Sequence, residues 1–368
     1  MKGLILSGGA GTRLRPITHT SAKQLVPIAN KPILFYGIEA MVEAGITEIG
    51  IIISPQTGSD IQAAVGDGSQ FGAAITWITQ DDPAGLAHCV LIARDFLGDD
   101  DFVMYLGDNM LEQDLVGFVE MFNQRSSAPE LGSAGSPAAQ ILLAQVEDPR
   151  AFGVADVDAD GGVVALVEKP ENPPSNLALV GVYLFDPRIH EAVATIEPSE
   201  RGELEITDAI QWLIDAGHPV AHDTLTGWWL DTGKKDPLLE CNRLVLDTIE
   251  PNVEGDVDDA STVTGRVRIE PGATIINSTV RGPAVIGANA VVRDSYIGPY
   301  SSVAADCVIE SAELDHSVIL GASKIRNVAR LTDSLIGAHV EVDRGTSVPA
   351  GLRLMLGDHS RLELDNKP

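Results

Sequence analysis

Residues 2–16 read Lys2-Gly3-Leu4-Ile5-Leu6-Ser7-Gly8-Gly9-Ala10-Gly11-Thr12-Arg13-Leu14-Arg15-Pro16. The run from Lys2 to Ser7 is a buried strand, and it stops against a glycine-rich loop carrying Arg13 and Arg15. Such a loop at the carboxyl end of a strand turns backbone N–H groups toward a ligand, phosphate above all. It is not the dinucleotide fingerprint, because Leu14 stands where the third glycine should be. Nor is it a Walker P-loop, since no Gly-Lys-Ser/Thr follows. Lys23 lies ten residues beyond Arg13. A planar guanidinium and a compact ammonium beside a glycine loop suit a triphosphate; two solvated loop cations are the plain alternative.

Outward from this loop, strands and helices alternate. Pro32 opens a helix through Ala44 and Gly45 closes it. Ile46–Ser54, Ala74–Thr79 and Asp101–Leu106 are further strands, with helical stretches near 59–65 and 86–94 between them. This rhythm predicts an open α/β sheet. Ser126–Pro137 is small, polar and turn-rich, a surface loop.

The last 110 or so residues follow another rule. Val263, Ile269 and Ile275 are six apart, as are Val285, Val291, Ile297, Val303 and Ile309. The series resumes at Ile319, Ile325 and Leu331, then at Ile336, Val342 and Val348. A hexapeptide period predicts a parallel β-helix, each rung one flat side with its aliphatic residue pointing into the prism. The breaks of four residues before Val285 and Ile319 are expected to be loops bulging from a corner. A β-sandwich with chance spacing is the competing reading. The division is therefore 1–247, an α/β domain, and 248–368, a β-helix.

Composition limits what the chain can do. Its 368 residues hold 53 Asp+Glu against 25 Lys+Arg, a net charge of −28. That field argues against a nucleic-acid or anionic-membrane partner. A 44% apolar fraction with 36 glycines is globular. No apolar run reaches the ~20 residues of a membrane span. The glycines at 8 and 9 come too early for a secretory signal. Cys89, Cys241 and Cys307 have no metal or redox spacing, which predicts reduced thiols in a cytoplasm.

The glycine loop, Lys23, Pro27 and Lys31-Pro32 together resemble the signature of sugar-1-phosphate nucleotidylyltransferases. The likeness continues in order through Gln80 with Gly85-Leu86-Ala87, Leu106-Gly107-Asp108-Asn109, Phe152-Gly153-Val154 and Glu168-Lys169-Pro170. It runs on through Gly181-Val182-Tyr183, Arg201–Asp208 and Trp229-Leu230-Asp231-Thr232-Gly233. Within that family the chain looks most like the long glucose-1-phosphate thymidylyltransferases. The resemblance implies a Rossmann-like, mostly parallel mixed sheet, then a left-handed parallel β-helix. It also implies transfer of a thymidylyl group from dTTP to glucose 1-phosphate, giving dTDP-glucose for deoxysugar pathways, by a homo-oligomer.

By the same resemblance Arg13, Lys23, Asp108, Lys169 and Asp231 are the catalytic set. Leu6, Gly8, Gly9, Gly11, Thr12, Arg13, Gln80, Gly85 and Asp108 take the nucleotide. Asn109, Gly153, Glu168, Lys169, Gly181 and Trp229 take the sugar phosphate. Asp108 and Asp231 each follow a strand, and paired carboxylates facing phosphate oxygens make a Mg²⁺ site; for Asp108 a turn-forming role competes. Two positions depart from the family: Phe152 replaces the usual tyrosine, and His88 follows Leu86-Ala87 where glutamine is common. Other readings stay open: UTP or another sugar as substrate, a non-catalytic regulatory homologue, or a second acyltransferase activity in the β-helix. His316 would be the base for the last, but Asp315-His316-Ser317 reads as a turn between rungs. Because every proposed ligand precedes residue 235, the β-helix is expected to be separable from turnover.

Overall fold

The computed structural model of the chain describes residues 1–9, 11–127, 136–159, 161–344 and 354–363. Residues 128–135, most of the expected surface loop, and Val348 lie outside that set; Ser126 and Ser127 close the helix Val116–Ser127. The described chain forms two compact units, one of 1–9 and 33–230, the other of 10–32 and 231–368.

The first unit is built on a nine-stranded mixed sheet. Lys2–Leu6 lies at its centre, parallel to Glu48–Ile53 on one side and to Phe102–Leu106 on the other. Ala74–Thr79 continues the parallel set beyond Glu48–Ile53. Leu177–Phe185 runs antiparallel to Phe102–Leu106 and carries Gly153–Val157 and then Val163–Glu168 outward. The central strands are near-continuous Ile, Val and Leu because both of their faces are buried. Leu4, Ile5, Ile51, Ile52, Val103 and Met104 are fully buried. Register puts Leu6 beside Ile52 and Leu106, and Ile53 beside Thr79. The residues just past these strands, Gln80 and Asp108 among them, therefore emerge along one sheet edge.

The second unit holds three parallel sheets of six, six and five strands, stacked like a β-helix. The inward residues are Ile269, Ile275, Val280, Ile286, Val292, Ile297, Val303, Ile309, Leu314, Ile319 and Ile325, all buried together. This corrects the expected spacing. Two sides of a coil take six residues and the third usually five, so Arg268 stacks on Val285 and Val280 on Ile297. No bulging loop precedes Val285 or Ile319. A slip of one residue turns a strand side chain to the opposite face. Thus Ile286 and Val292 fill the prism, while Val285 faces out beneath Ala29, Leu246 and Ile249. Asn277, Asp294, Ser311 and Asn327 take positive φ at one corner, coil after coil. Asn and Asp tolerate that conformation through local hydrogen bonds. Asn277 Nδ2 donates to Asp294 Oδ1 at 2.6 Å, one coil on.

The segment 11–32 belongs to this second unit and packs on its scaffold. Asn242, on the helix Lys235–Leu246, is wholly buried. Its Oδ1 accepts from the Ala29 N–H at 2.9 Å and the Ser302 hydroxyl at 2.8 Å. Its Nδ2 donates to the Tyr300 carbonyl at 3.2 Å, and Asn30 Nδ2 donates to the Val303 carbonyl at 2.8 Å. All three cysteines are free and buried. Burial pushes the thiols of Cys89 and Cys241 up to about 12, so they stay protonated at neutral pH. Among the described residues no helix is long and apolar enough to cross a membrane.

Candidate functional site

In the first unit the sequence-predicted residues gather into three groups. The first follows Ala74–Thr79. Gln80 is buried, and its Nε2 lies 3.0 Å from His88 Nδ1 and 3.4 Å from the Gly85 carbonyl. Gly85 has φ +104°, and a Cβ there would stand 2.4 Å from the Leu204 carbonyl oxygen. Only glycine fits both the angle and the approach. Leu6 ends the central strand and Gly8 and Gly9 follow it; a Cβ on Gly8 would come within 3.2 Å of Gln80 Oε1. Gly8 and Gln80 are thus neighbours.

The second group surrounds Asn109. Trp229 Nε1 donates to Asn109 Oδ1 at 2.5 Å, and Tyr105 Oη donates to the Asn109 carbonyl at 2.9 Å. Gly181 faces the same side chain, and a Cβ there would lie 2.7 Å from Asn109 Oδ1. Trp229 is half-buried and its ring lies 5.0 Å from that of Phe152. Phe152 therefore packs on the indole. Asn109 Nδ2 also donates to Asp108 Oδ1 at 3.1 Å.

The third group is ionic. Glu168 ends its strand opposite Gly153. Lys169 Nζ sits 2.9 Å from Glu168 Oε1, on a backbone with φ +42° immediately before Pro170. A non-glycine residue held there stores strain that the surrounding contacts must offset. The Lys169 N–H donates to the Phe152 carbonyl at 3.0 Å, which fixes the turn. Arg201 and Thr207 complete this group without having been singled out individually from the sequence. Arg201 Nη1 lies 3.7 Å from Glu168 Oε1 and Nη2 3.2 Å from Glu205 Oε1. Thr207 Oγ1 donates to Glu168 Oε2 at 3.3 Å. The only sequence signal was the Arg201–Asp208 run itself. Likewise His88 shows its role only through its contact with Gln80.

Burial pushes the Glu205 carboxyl above its ordinary range, and the Glu168 charge adds to it, against the Ser199 hydrogen bond and the Arg201 charge. The raised folded value means the folded state holds this proton more readily than the unfolded chain. Stability from this group is therefore present at acid pH and is lost as pH rises through the window above 4.5. Arg201→Gln removes a lowering influence and widens that loss. Arg201 is more than a third exposed, so solvent screening holds the expected loss to about 1 kcal/mol or less near neutral pH, and smaller still in acid. Thermal melts of the variant across pH 4–8 check this; a pH-independent difference would contradict it.

In the second unit Arg13 Nη2 lies 3.3 Å from Asp231 Oδ2. Asp231 Oδ1 accepts the Gly233 N–H at 2.9 Å, and a Cβ on Gly233 would sit 2.8 Å from Arg13 Nη2. Gly11 and Thr12 lead into the short turn Thr12–Leu14, pinned by the Thr18 hydroxyl donating to the Gly11 carbonyl at 2.6 Å. Lys23 opens the turn Lys23–Leu25 and is buried. His316, the alternative base, takes φ +43° at a coil corner, with Nδ1 2.6 Å from Asp333 Oδ1 and its ring edge-on to Tyr300.

Comparison with known proteins gives this arrangement a context. A glucose-1-phosphate thymidylyltransferase of Streptomyces griseus is 56% identical over 366 residues, covering all of both chains. The low-salt glycan biosynthesis nucleotidyltransferase Agl11 of Haloferax volcanii is 47% identical over 367 residues, 99% of this chain and all of that one. A Bacillus anthracis protein, provisionally assigned as a glucose-1-phosphate thymidylyltransferase and crystallised with sucrose, superposes with a TM-score of 0.62. It is 34% identical and covers 68% of this chain and 98% of its own. The profile described as nucleotidyl transferase matches residues 2–248, from the central strand through the helix bearing Asn242, and on that match this chain belongs to the nucleotidyl transferase family.

Proposed function

We propose that this chain transfers a thymidylyl group from dTTP to glucose 1-phosphate, releasing pyrophosphate and forming dTDP-glucose. The observation that carries the reading is the glycine loop that sets Arg13 against Asp231 at 3.3 Å, with Lys23 in the same segment. It brings phosphate-directed cations and a carboxylate together. Full-length likeness to the Streptomyces griseus enzyme supports the substrates.

The attacking oxygen of glucose 1-phosphate is already anionic near neutrality, since the second pKa of a phosphate monoester is ~6. No general base is needed. That oxygen bonds to the α-phosphorus as the α–β bridging bond breaks, and its electron pair leaves on pyrophosphate. The difficulty is joining anions, so the residues position and neutralise. Arg13 offers its fork to the departing pyrophosphate, and Lys23 a point charge to the triphosphate. Lys169 pairs with the sugar phosphate, and Glu168 accepts from sugar hydroxyls. Leu6, Gly8, Gly9, Gly11, Thr12, Gln80 and Gly85 form the nucleotide set, and Asn109, Gly153, Gly181 and Trp229 the sugar-phosphate set.

Asp108 and Asp231 are the proposed Mg²⁺ ligands. The donors suit a hard cation. Asp231 keeps lone pairs on both oxygens beyond its Gly233 and Arg13 partners. Among the described residues no group of three or more His, Cys, Asp or Glu could hold a metal. That suits an ion completed by water and phosphate oxygens. When bound, the ion supplies positive charge to the transferring phosphoryl group. We place the catalytic region at 1–247 and the β-helix at 248–368, in a cytoplasmic homo-oligomer.

Pyrophosphate release across dTTP, UTP, GTP, ATP and CTP against several sugar 1-phosphates tests the reading. The expected best pair is dTTP with glucose 1-phosphate, with UTP weaker by roughly tenfold, because one methyl group supplies only modest discrimination. A purine triphosphate with the highest kcat/KM would overturn it.

A further inference from the structure

The Gln80 amide is held in one orientation. The Gly85 carbonyl, 3.4 Å away, can only accept, so the amide group facing it is the NH₂. The same nitrogen lies 3.0 Å from His88 Nδ1. With its N–H bonds directed at Gly85 and His88, that nitrogen meets His88 as a donor. His88 must then present a lone pair at Nδ1 and carry its proton on Nε2. Oε1 is left as the free face of the amide, on the side of Gly8, where an added Cβ would come within 3.2 Å. Gln80 thus offers the ligand an acceptor.

An acceptor at that point pairs with an imide N–H. Thymine and uracil carry one at N3. Cytosine carries a lone pair there, which faces Oε1 with repulsion. A glutamine free to rotate could present its NH₂ instead and satisfy cytosine equally. We infer that His88 is a positioning residue that, together with the Gly85 carbonyl, holds the Gln80 amide with Oε1 toward the ligand, so that the site selects imide pyrimidines against cytosine. The inference rests on the proposed nucleotide site. It assigns His88 no part in the choice between thymine and uracil, which share the N3–H.

The test is steady-state kinetics of the full chain with dTTP, UTP and dCTP. His88→Leu keeps bulk without an acceptor. It is expected to lower the dTTP/dCTP ratio of kcat/KM by about tenfold. The change should come through KM for the nucleotide, with kcat within about threefold and the dTTP/UTP ratio unmoved. His88→Asn, whose Oδ1 can stand near the place of Nδ1, is expected to restore the ratio. Should His88→Leu fail to fold, His88→Ala is read by the same criterion. A folded Leu or Ala variant that keeps the native dTTP/dCTP ratio overturns the inference while leaving the proposed function intact. Equal loss of kcat with every nucleotide overturns it too. A native chain that prefers GTP or ATP overturns the proposed function itself, and the role of His88 with it.

Discussion

Asp231→Asn is expected to lower kcat on the order of 10²-fold or more while leaving the fold nearly intact. The substitution is close to isosteric. Its Oδ1 can still accept the Gly233 N–H, so the turn survives. What disappears is the negative charge opposite Arg13 and one hard ligand of the proposed Mg²⁺ site. A metal clamp on a transferring phosphoryl group is worth several kcal/mol, and each 1.36 kcal/mol is tenfold in rate. Asp108→Asn is expected to cost a similar factor. The double variant should cost far less than the product, because residues holding one ion are not independent. Melting temperatures without ligand should change little. The checks are kcat at saturating dTTP and glucose 1-phosphate, and its dependence on Mg²⁺ concentration. A single variant with near-native kcat and an unchanged Mg²⁺ profile would mark that aspartate as a turn former only.

A chain ending at Asp247 is expected to lose turnover, by at least about 10²-fold or through failure to fold. This reverses the expectation from the sequence, where all candidate ligands precede residue 235. The segment with Arg13 and Lys23 is tied at Ala29 to Asn242, which also accepts from Ser302, and at Asn30 to Val303. Cutting at 247 removes the Ser302 hydroxyl and the Tyr300 and Val303 carbonyls. It also strips Ile249 and Val285 from the cluster over Ala29 and Leu246. The cut also opens this apolar cluster to water, which removes the burial that holds Ala29 on the helix. The loss falls on the segment bearing two of the phosphate-directed cations. A shortened chain with a cooperative melt and kcat within threefold of native would show that the β-helix is not needed to hold that segment.

The strands at 2–6, 48–53, 74–79 and 102–106 were legible because buried parallel strands are long apolar runs ended by turn residues. Gly85 and Gly181 were legible as motif positions, although the contacts that demand glycine, to Leu204 and Asn109, are visible only in three dimensions. The β-helix was legible as a period but not in phase. Val285-Ile286 and Val291-Val292 are doublets, and nothing local says which member points inward. Long-range hydrogen bonds decided that. For the same reason Asn242 was invisible: a polar residue in a helix reads as exposed until its partners, some 60 residues later or 213 earlier, close around it. Arg201 and His88 acquire meaning only from Glu168 and Gln80.

The way residues 10–32 are claimed by the C-terminal unit sets an order on biosynthesis. These residues are among the first made, yet their anchors at Asn242, Ser302 and Val303 are made late. At roughly 5–20 residues per second, a ribosome holds the N-terminal segment without its partners for some ~15–60 s. Throughout that interval the stretch bearing Arg13 and Lys23 lacks its Asn242 and Val303 partners, and a prematurely terminated product never meets them. The discontinuous unit therefore places a late step on folding: the segment proposed to handle phosphate meets Asn242 and Val303 only once most of the message has been translated.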